Sequence, residues 1–144
     1  MSRGYTLMEV LVTLTIIGMV LAAIPLVAGG PRPGAQARAA AIELASALRQ
    51  TRSGAIAGFH DEVFYLDTER RVYRVGGGGS EKALPEDLTL SLYTARSELA
   101  GENAGRIRFF PDGSATGGRV TLAAGAHRYV VAVDWLTGMV EVER

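Results

Sequence analysis

The sequence contains no cysteine. Disulfide frameworks, thiolate metal sites and cysteine nucleophiles are therefore excluded. A chain exported to an oxidising space avoids mispairing by having none. Histidine is nearly as scarce, with only His60 and His127. His60 adjoins Asp61, and neighbours in an extended chain point to opposite faces. His127 precedes a strand pattern, and no spacing joins either histidine to Ser114 as a hydrolytic triad. Asp61, Asp67, Asp112 and Asp134 are scattered, without the spacing of a calcium loop. An excess of either charge is missing too: 15 Lys and Arg balance 15 Asp and Glu. That balance argues against a general nucleic-acid binder. Trp135 is the one tryptophan, expected in core or edge packing rather than as an interface anchor. Nothing in this inventory supports an enzyme, a cofactor or a metal.

The most informative absence is local. No charged residue occurs from Val10 to Ala28, where Thr13 and Thr15 are the only polar side chains. Each threonine is expected to bond back to a carbonyl of the preceding turn. As a helix, residues 5–28 would be about 36 Å long at about 1.5 Å per residue, enough to cross a bilayer core of about 30 Å. Pro25 lies within the run and is expected to kink or interrupt it. The run is not an ordinary secretory signal, because it is too long and no clean small-residue cleavage site follows it.

Glu9 is the exception, set among Leu7, Met8, Val10, Leu11 and Val12. A carboxylate in a membrane helix costs about 2.5 kcal/mol or more and marks a functional position. No cation lies within the run. Were the chain cut after Gly4, Tyr5 would carry a free ammonium, and residues four apart share a helical face. That ammonium could meet Glu9 of its own chain or of a neighbour.

Gly4-Tyr5-Thr6-Leu7-Met8-Glu9-Val10 resembles the N-terminal signature of type IV prepilins and type II secretion pseudopilins. Tyr5 stands where Phe is more usual, still an aromatic residue. The resemblance implies cleavage after Gly4 by a membrane prepilin peptidase and methylation of the new N-terminus at Tyr5. It also implies a cytoplasmic N-terminus, on which the flanking Arg3, Arg32 and Arg38 say little.

At 144 residues, the chain is expected to be an anchor plus one domain. Residues 1–4 read as a leader, 5–28 as the transmembrane and assembly helix, 29–35 as a flexible Gly- and Pro-rich joint, and 36–144 as the head. Within the head a second helix is expected from Gln36 to about Gly58. Ala41, Leu44, Ala45, Leu48 and Ala55 form its buried stripe, and Arg38, Ser46, Arg49 and Ser53 lie opposite. Arg38, Arg49 and Arg52 read as a solvated face more readily than as a basic face for a partner.

The remainder reads as antiparallel strands. Residues 62–66 and 71–75 suggest a hairpin, followed by the loop Gly76–Ser80. Further strands are expected at 88–93, 106–110, 119–123, 129–134 and 139–143, with 97–105 as a loop and Leu136-Thr137-Gly138 as a turn. Gly113 and Gly118 stand at phosphate-loop spacing, but Arg119 and Val120 replace the required lysine and hydroxyl. Pro111-Asp112-Gly113 is a turn instead.

The stretch Phe109–Gly118, with Val133–Gly138 downstream, resembles the minor pseudopilin H family of type II secretion systems. The resemblance implies an α+β, type IV pilin-like fold, with a second helix packed on antiparallel sheets. It implies a single-pass inner-membrane protein whose head lies in the periplasm, near the tip of the pseudopilus. There it would link tip subunits to the major pseudopilin. Expected partners are other major and minor pseudopilins, the prepilin peptidase, the inner membrane and secreted exoproteins, with no nucleic acid. The other reading is a minor type IV pilin that initiates pili or takes up DNA. Asp134, Glu141 and Glu143 against Arg144 weigh against DNA, whose capture needs a basic patch.

Overall fold

The computed structural model describes the backbone of residues 6–27 and 33–144, and their side chains except those of 23–27 and Pro33. Gly4 and Tyr5 lie outside the described residues, as do residues 1–3 and 28–32. The chain divides into two compact units on either side of Pro33.

The first unit contains helix α1, Leu7–Val27. Thr6 caps it: the Glu9 amide donates to the Thr6 hydroxyl at 3.3 Å, the geometry of a serine or threonine N-cap. Thr13 Oγ1 donates to the Glu9 carbonyl at 2.9 Å and Thr15 Oγ1 to the Leu11 carbonyl at 2.7 Å, as expected of hydroxyls in an apolar run. Pro25 does not end the helix, which continues to Val27. Among the described residues no helix is long and apolar enough to cross a membrane, and the side chains that would complete the span of α1 fall outside that set.

The second unit begins with helix α2, Pro33–Gly58. It starts three residues earlier than expected, so residues 33–35 form its first turn rather than part of a joint. Proline suits a first turn, where its missing N–H would have no partner anyway. The buried stripe holds: Ala41, Leu44, Ala45, Leu48 and Ala55 are all fully buried, joined by Ala37, Ala40 and Ala47. Thr51 is also buried, with its hydroxyl donating to the Ala47 carbonyl at 2.9 Å. After Gly58 the left-handed residue is Phe59, with φ 52°. The exposed His60 ring folds back over Gly58, 2.4 Å from where a Cβ would be.

Eight strands follow: β1 Glu62–Asp67, β2 Val72–Val75, β3 Lys82–Ala83, β4 Thr89–Thr94, β5 Ala104–Phe109, β6 Gly118–Ala124, β7 His127–Val133 and β8 Val140–Glu143. They form two antiparallel four-stranded sheets in the orders β3-β2-β1-β5 and β4-β6-β7-β8. One face of each sheet is apolar, with Phe64, Leu66, Tyr73, Ile107 and Phe109 from the first and Val120, Leu122, Val131, Val133 and Val140 from the second. Helix α2 packs against both sheets, and its alanines allow close approach. The α+β architecture is therefore the expected one. The strand β3 is new, and the presumed loop 97–105 contains a 3-10 turn at Arg96–Glu98 and the start of β5. Polar composition there concealed a buried residue: Glu98 is 5% exposed and accepts a 3.0 Å hydrogen bond from Arg108 Nε.

Candidate assembly surfaces

Two regions carry the residues that the sequence singled out. The first is the N-terminal turn of α1. Glu9 is exposed there and occupies the third helical position. Thr6 and Glu9 have the Thr-x-x-Glu spacing of a capping box, a signal the sequence contained but the reading of Glu9 as a bare buried acid passed over. An acid in the first turn also complements the helix dipole. Around Glu9 the helix is apolar on every side, from Leu7, 82% exposed, to Met19, 73% exposed. A helix that is hydrophobic all round belongs in a membrane or inside a larger bundle.

The second region brings together the two motif stretches 109–118 and 133–138. The Gly113 amide donates to the Phe110 carbonyl at 2.9 Å, closing the expected Pro-Asp-Gly turn. Asp112 accepts from the Ser114 amide at 3.0 Å and the Ser114 hydroxyl at 2.6 Å. The hydroxyl above all, and then the amide, holds its carboxyl below the usual value. Asp134 does the same in the second turn, accepting from the Thr137 amide and hydroxyl, both at 2.8 Å, and from the Leu136 amide at 3.1 Å. Its carboxyl is likewise held low, chiefly by the Thr137 amide.

The two turns are tied to each other and to α2. Ala115 N–H donates to the Trp135 carbonyl at 2.9 Å. Arg52 donates from Nε to the Gly113 carbonyl at 3.1 Å and from Nη2 to the Thr137 carbonyl at 3.0 Å. Arg49 donates to the Val140 carbonyl at 2.8 Å. Arg49 remains exposed and Arg52 partly so, as expected of a solvated face, but both also tie α2 to carbonyls of the C-terminal stretch. Gly138 must be glycine at this junction. Its φ is 61°, and a Cβ would lie 2.2 Å from the Gly113 carbonyl oxygen.

The consequence is felt at Trp135, which is 65% exposed rather than packed in the core. With Leu136 and Met139, at 64% and 56% exposure, it rims an open groove of about 1260 Å³ whose other wall includes Tyr93 and Leu99. Arg96, Arg119, Asp134 and Glu141 also line the groove, so its apolar rim is set among charges. Tyr93, Arg119, Ala132 and Glu141 form one cross-strand row on the outer face of the second sheet, so the small Ala132 lies between a cation and an anion. His60 stands elsewhere, at the end of α2, with Nδ1 2.9 Å from the Gly58 carbonyl and Nε2 3.1 Å from Glu62. Those acceptors raise its pKa, the carbonyl most. His127 lies against Gly34 at the start of α2. Among the described residues no three His, Asp or Glu side chains converge as metal ligands would.

A family model described as type II transport protein GspH matches residues 40–137. The chain belongs to the GspH family. A second model, the prokaryotic N-terminal methylation motif, matches residues 1–25. The chain is 36% identical over 140 residues to type II secretion system protein H of Xanthomonas campestris pv. campestris, covering 96% of this chain and 81% of that one. It is therefore a GspH-type minor pseudopilin, as the two C-terminal stretches implied. The fold resembles the minor pseudopilin EpsH of Vibrio cholerae, with TM-score 0.59 and 14% identity over 76% of this chain and 94% of that one. It equally resembles the type IV minor pilin FimU of Pseudomonas aeruginosa, with TM-score 0.56 and 16% identity over 74% and 87% of the two chains. At such identities the likeness concerns fold alone.

Proposed function

We propose that this GspH-type pseudopilin is a structural subunit near the tip of the type II secretion pseudopilus, joining tip subunits to the major pseudopilin. The observation that carries the proposal is the combination of an all-apolar α1, bearing one acid in its first turn, with a head whose signature turns expose an apolar rim. Residues 1–4 are a leader removed by prepilin peptidase, and Tyr5 becomes the methylated N-terminus. Residues 5–28 anchor the chain in the inner membrane, and the head beyond Pro33 stands in the periplasm. Glu9 receives the Tyr5 ammonium of a neighbouring subunit, so each incoming chain is drawn to the axial position that neutralises both charges. The Trp135 rim faces other pseudopilins. The role is structural rather than enzymatic, and secreted exoproteins are the cargo.

The test is Glu9→Gln in a strain lacking the wild-type protein. Glutamine serves the third position of a capping box as glutamate does, so the substitution removes the charge while keeping the helix cap. Membrane level and cleavage after Gly4 should persist, while crosslinking to other pseudopilins and exoprotein release should fall. Normal crosslinking and secretion at normal protein level would remove the pairing role. Intact-mass analysis checks the rest: a mature chain that retains Met1–Gly4 in cells containing the peptidase contradicts the processing.

A further inference from the structure

The outer face of the first sheet holds a cationic row that no part of the assembly role uses. Strand β1 buries Phe64 and Leu66, so the alternation of a strand turns Tyr65 to the other side. Arg74 of β2 and Arg106 of β5 are both in register with Tyr65, one on each flank. The Arg74 guanidinium carbon lies 5.4 Å from the centroid of the Tyr65 ring, a cation–π contact that fixes its position. In the adjoining row Arg108 pairs with Val63 across the strands.

The three arginines differ in one respect. Arg108 is neutralised by Glu98 at 3.0 Å and Asp61 at 3.7 Å. Among the described residues neither Arg74 nor Arg106 is in an ion pair. The Nε of each is buried and has no hydrogen-bond partner. The other outward acid of β1, Asp67, already accepts from the Glu69 and Arg70 amides at 3.0 and 2.8 Å. Arg74 is thus held against the ring and Arg106 stands in register on its other flank, both half-buried. The buried Nε atoms are out of reach of an outside ligand, but the terminal nitrogens are not among the buried unpartnered atoms, and a guanidinium end is well matched by a carboxylate.

We infer that the Arg74–Tyr65–Arg106 row is a docking site for an acidic segment of another protein, one that places at least two Asp or Glu carboxylates over the two arginines. Strand spacing puts the arginine Cα atoms about 9–10 Å apart. Carboxylates on alternate residues of an extended segment stand about 7 Å apart, a span that two long side chains on either flank of Tyr65 can meet. A nucleic acid fits less well, because it draws its affinity from a series of phosphate contacts, whereas this row supplies two cations outside any ion pair among the described residues. The inference goes beyond the pseudopilus role and stands or falls separately from it.

The experiment uses the full chain in neutral-detergent micelles and a fluorescein-labelled octaglutamate peptide, read by anisotropy. Saturable binding is expected, weakening as salt is added. Arg74→Gln with Arg106→Gln should weaken it by about tenfold or more, in line with the strength of charge-assisted hydrogen bonds. Arg74→Lys with Arg106→Lys should retain part of it, and Arg119→Gln on the other sheet should leave it unchanged. One measurement needs no variant: in the wild-type chain the Nε–Hε resonances of Arg74 and Arg106 should shift as the peptide saturates. The inference is overturned by absence of saturable binding, by equal loss in Arg119→Gln, or by shifts confined to other arginines. Displacement of the peptide by duplex DNA at lower phosphate than carboxylate concentration would overturn it in favour of a nucleic-acid site.

Discussion

The two helices of this chain solve opposite problems. Helix α1 presents large apolar side chains on all sides, with Leu11, Leu14, Ile16 and Ile17 each more than half exposed. Among its described residues it has no charged side chain besides Glu9. Helix α2 is built mostly of small residues, and its stripe from Ala37 to Ala55 is covered by the two sheets of the same head. The acid of α1 lies exposed at a helix start; the acid Glu43 of α2 accepts a 2.6 Å hydrogen bond from the Tyr73 hydroxyl of β2. Burial and that hydrogen bond push the phenol well above its ordinary range. A helix whose burial comes from its own fold reports on stability; one whose burial comes from other molecules reports on assembly.

That contrast breaks most visibly at Glu9. Leaving a buried partner charge unpaired costs about 3–5 kcal/mol, so Glu9→Gln should abolish incorporation and secretion while the thermal unfolding of the head is unchanged. A fall in head stability would mean that the two regions are not separable in this way. Next in size is Leu44→Ala in α2, where a fully buried side chain is replaced by a cavity. The head should lose about 2–5 kcal/mol in chemical denaturation, whereas Leu14→Ala in α1 should leave its midpoint in place.

A smaller effect sharpens the comparison within α2. Arg52→Ala removes two charge-assisted hydrogen bonds to the Gly113 and Thr137 carbonyls and should cost about 2 kcal/mol. Trp135 fluorescence should change along with it, since the turn that carries the ring loses its tie. Arg38→Ala, on the exposed face of the same helix, should do neither.

The smallest expected effect depends on pH. Asp112 and Asp134 have pKa values held below the ordinary 3.8. A depressed carboxyl binds its proton less readily in the folded than in the unfolded chain, so it contributes stability above the ordinary pKa. That contribution disappears as pH falls below about 3.8 and through the folded values. Asp134→Asn should therefore flatten the acid limb of a stability-versus-pH curve slightly, with little change in α1 or in its helical signal. His60 has the opposite sign: its raised pKa stabilises the head below 6.5, an advantage lost as pH rises through the folded value.

Much of this was readable in the residues because it depends on local pattern. Hydrophobic continuity marked α1, the spacing of alanine and leucine marked α2, and alternation marked most strands. The Pro-Asp-Gly and Leu-Thr-Gly turns could be placed because their residue types serve few other conformations. What misled the reading was distance in the chain. Arg49 and Arg52 keep contact with solvent as the helical wheel suggests, but the wheel does not show that they also bind carbonyls at Val140, Gly113 and Thr137. Glu98, in a polar stretch, is buried because Arg108 from β5 reaches it. Trp135 suggested core or edge packing by its type, but its ring is 65% exposed while its carbonyl accepts from the Ala115 amide.

By itself the sequence determined the apolar first helix, its single acid, the amphipathic second helix and the antiparallel strands. These follow from the side-chain periods of helix and strand and from the cost of leaving apolar surface in water. Only the tertiary structure decided that the two C-terminal turns meet under Arg52, that Trp135 faces outward, and that Arg74 and Arg106 flank Tyr65 without an ion-pair partner among the described residues. Strand order and register bring these residues together, and hydrogen bonding between distant backbone segments does not appear in the spacing of neighbours along the chain.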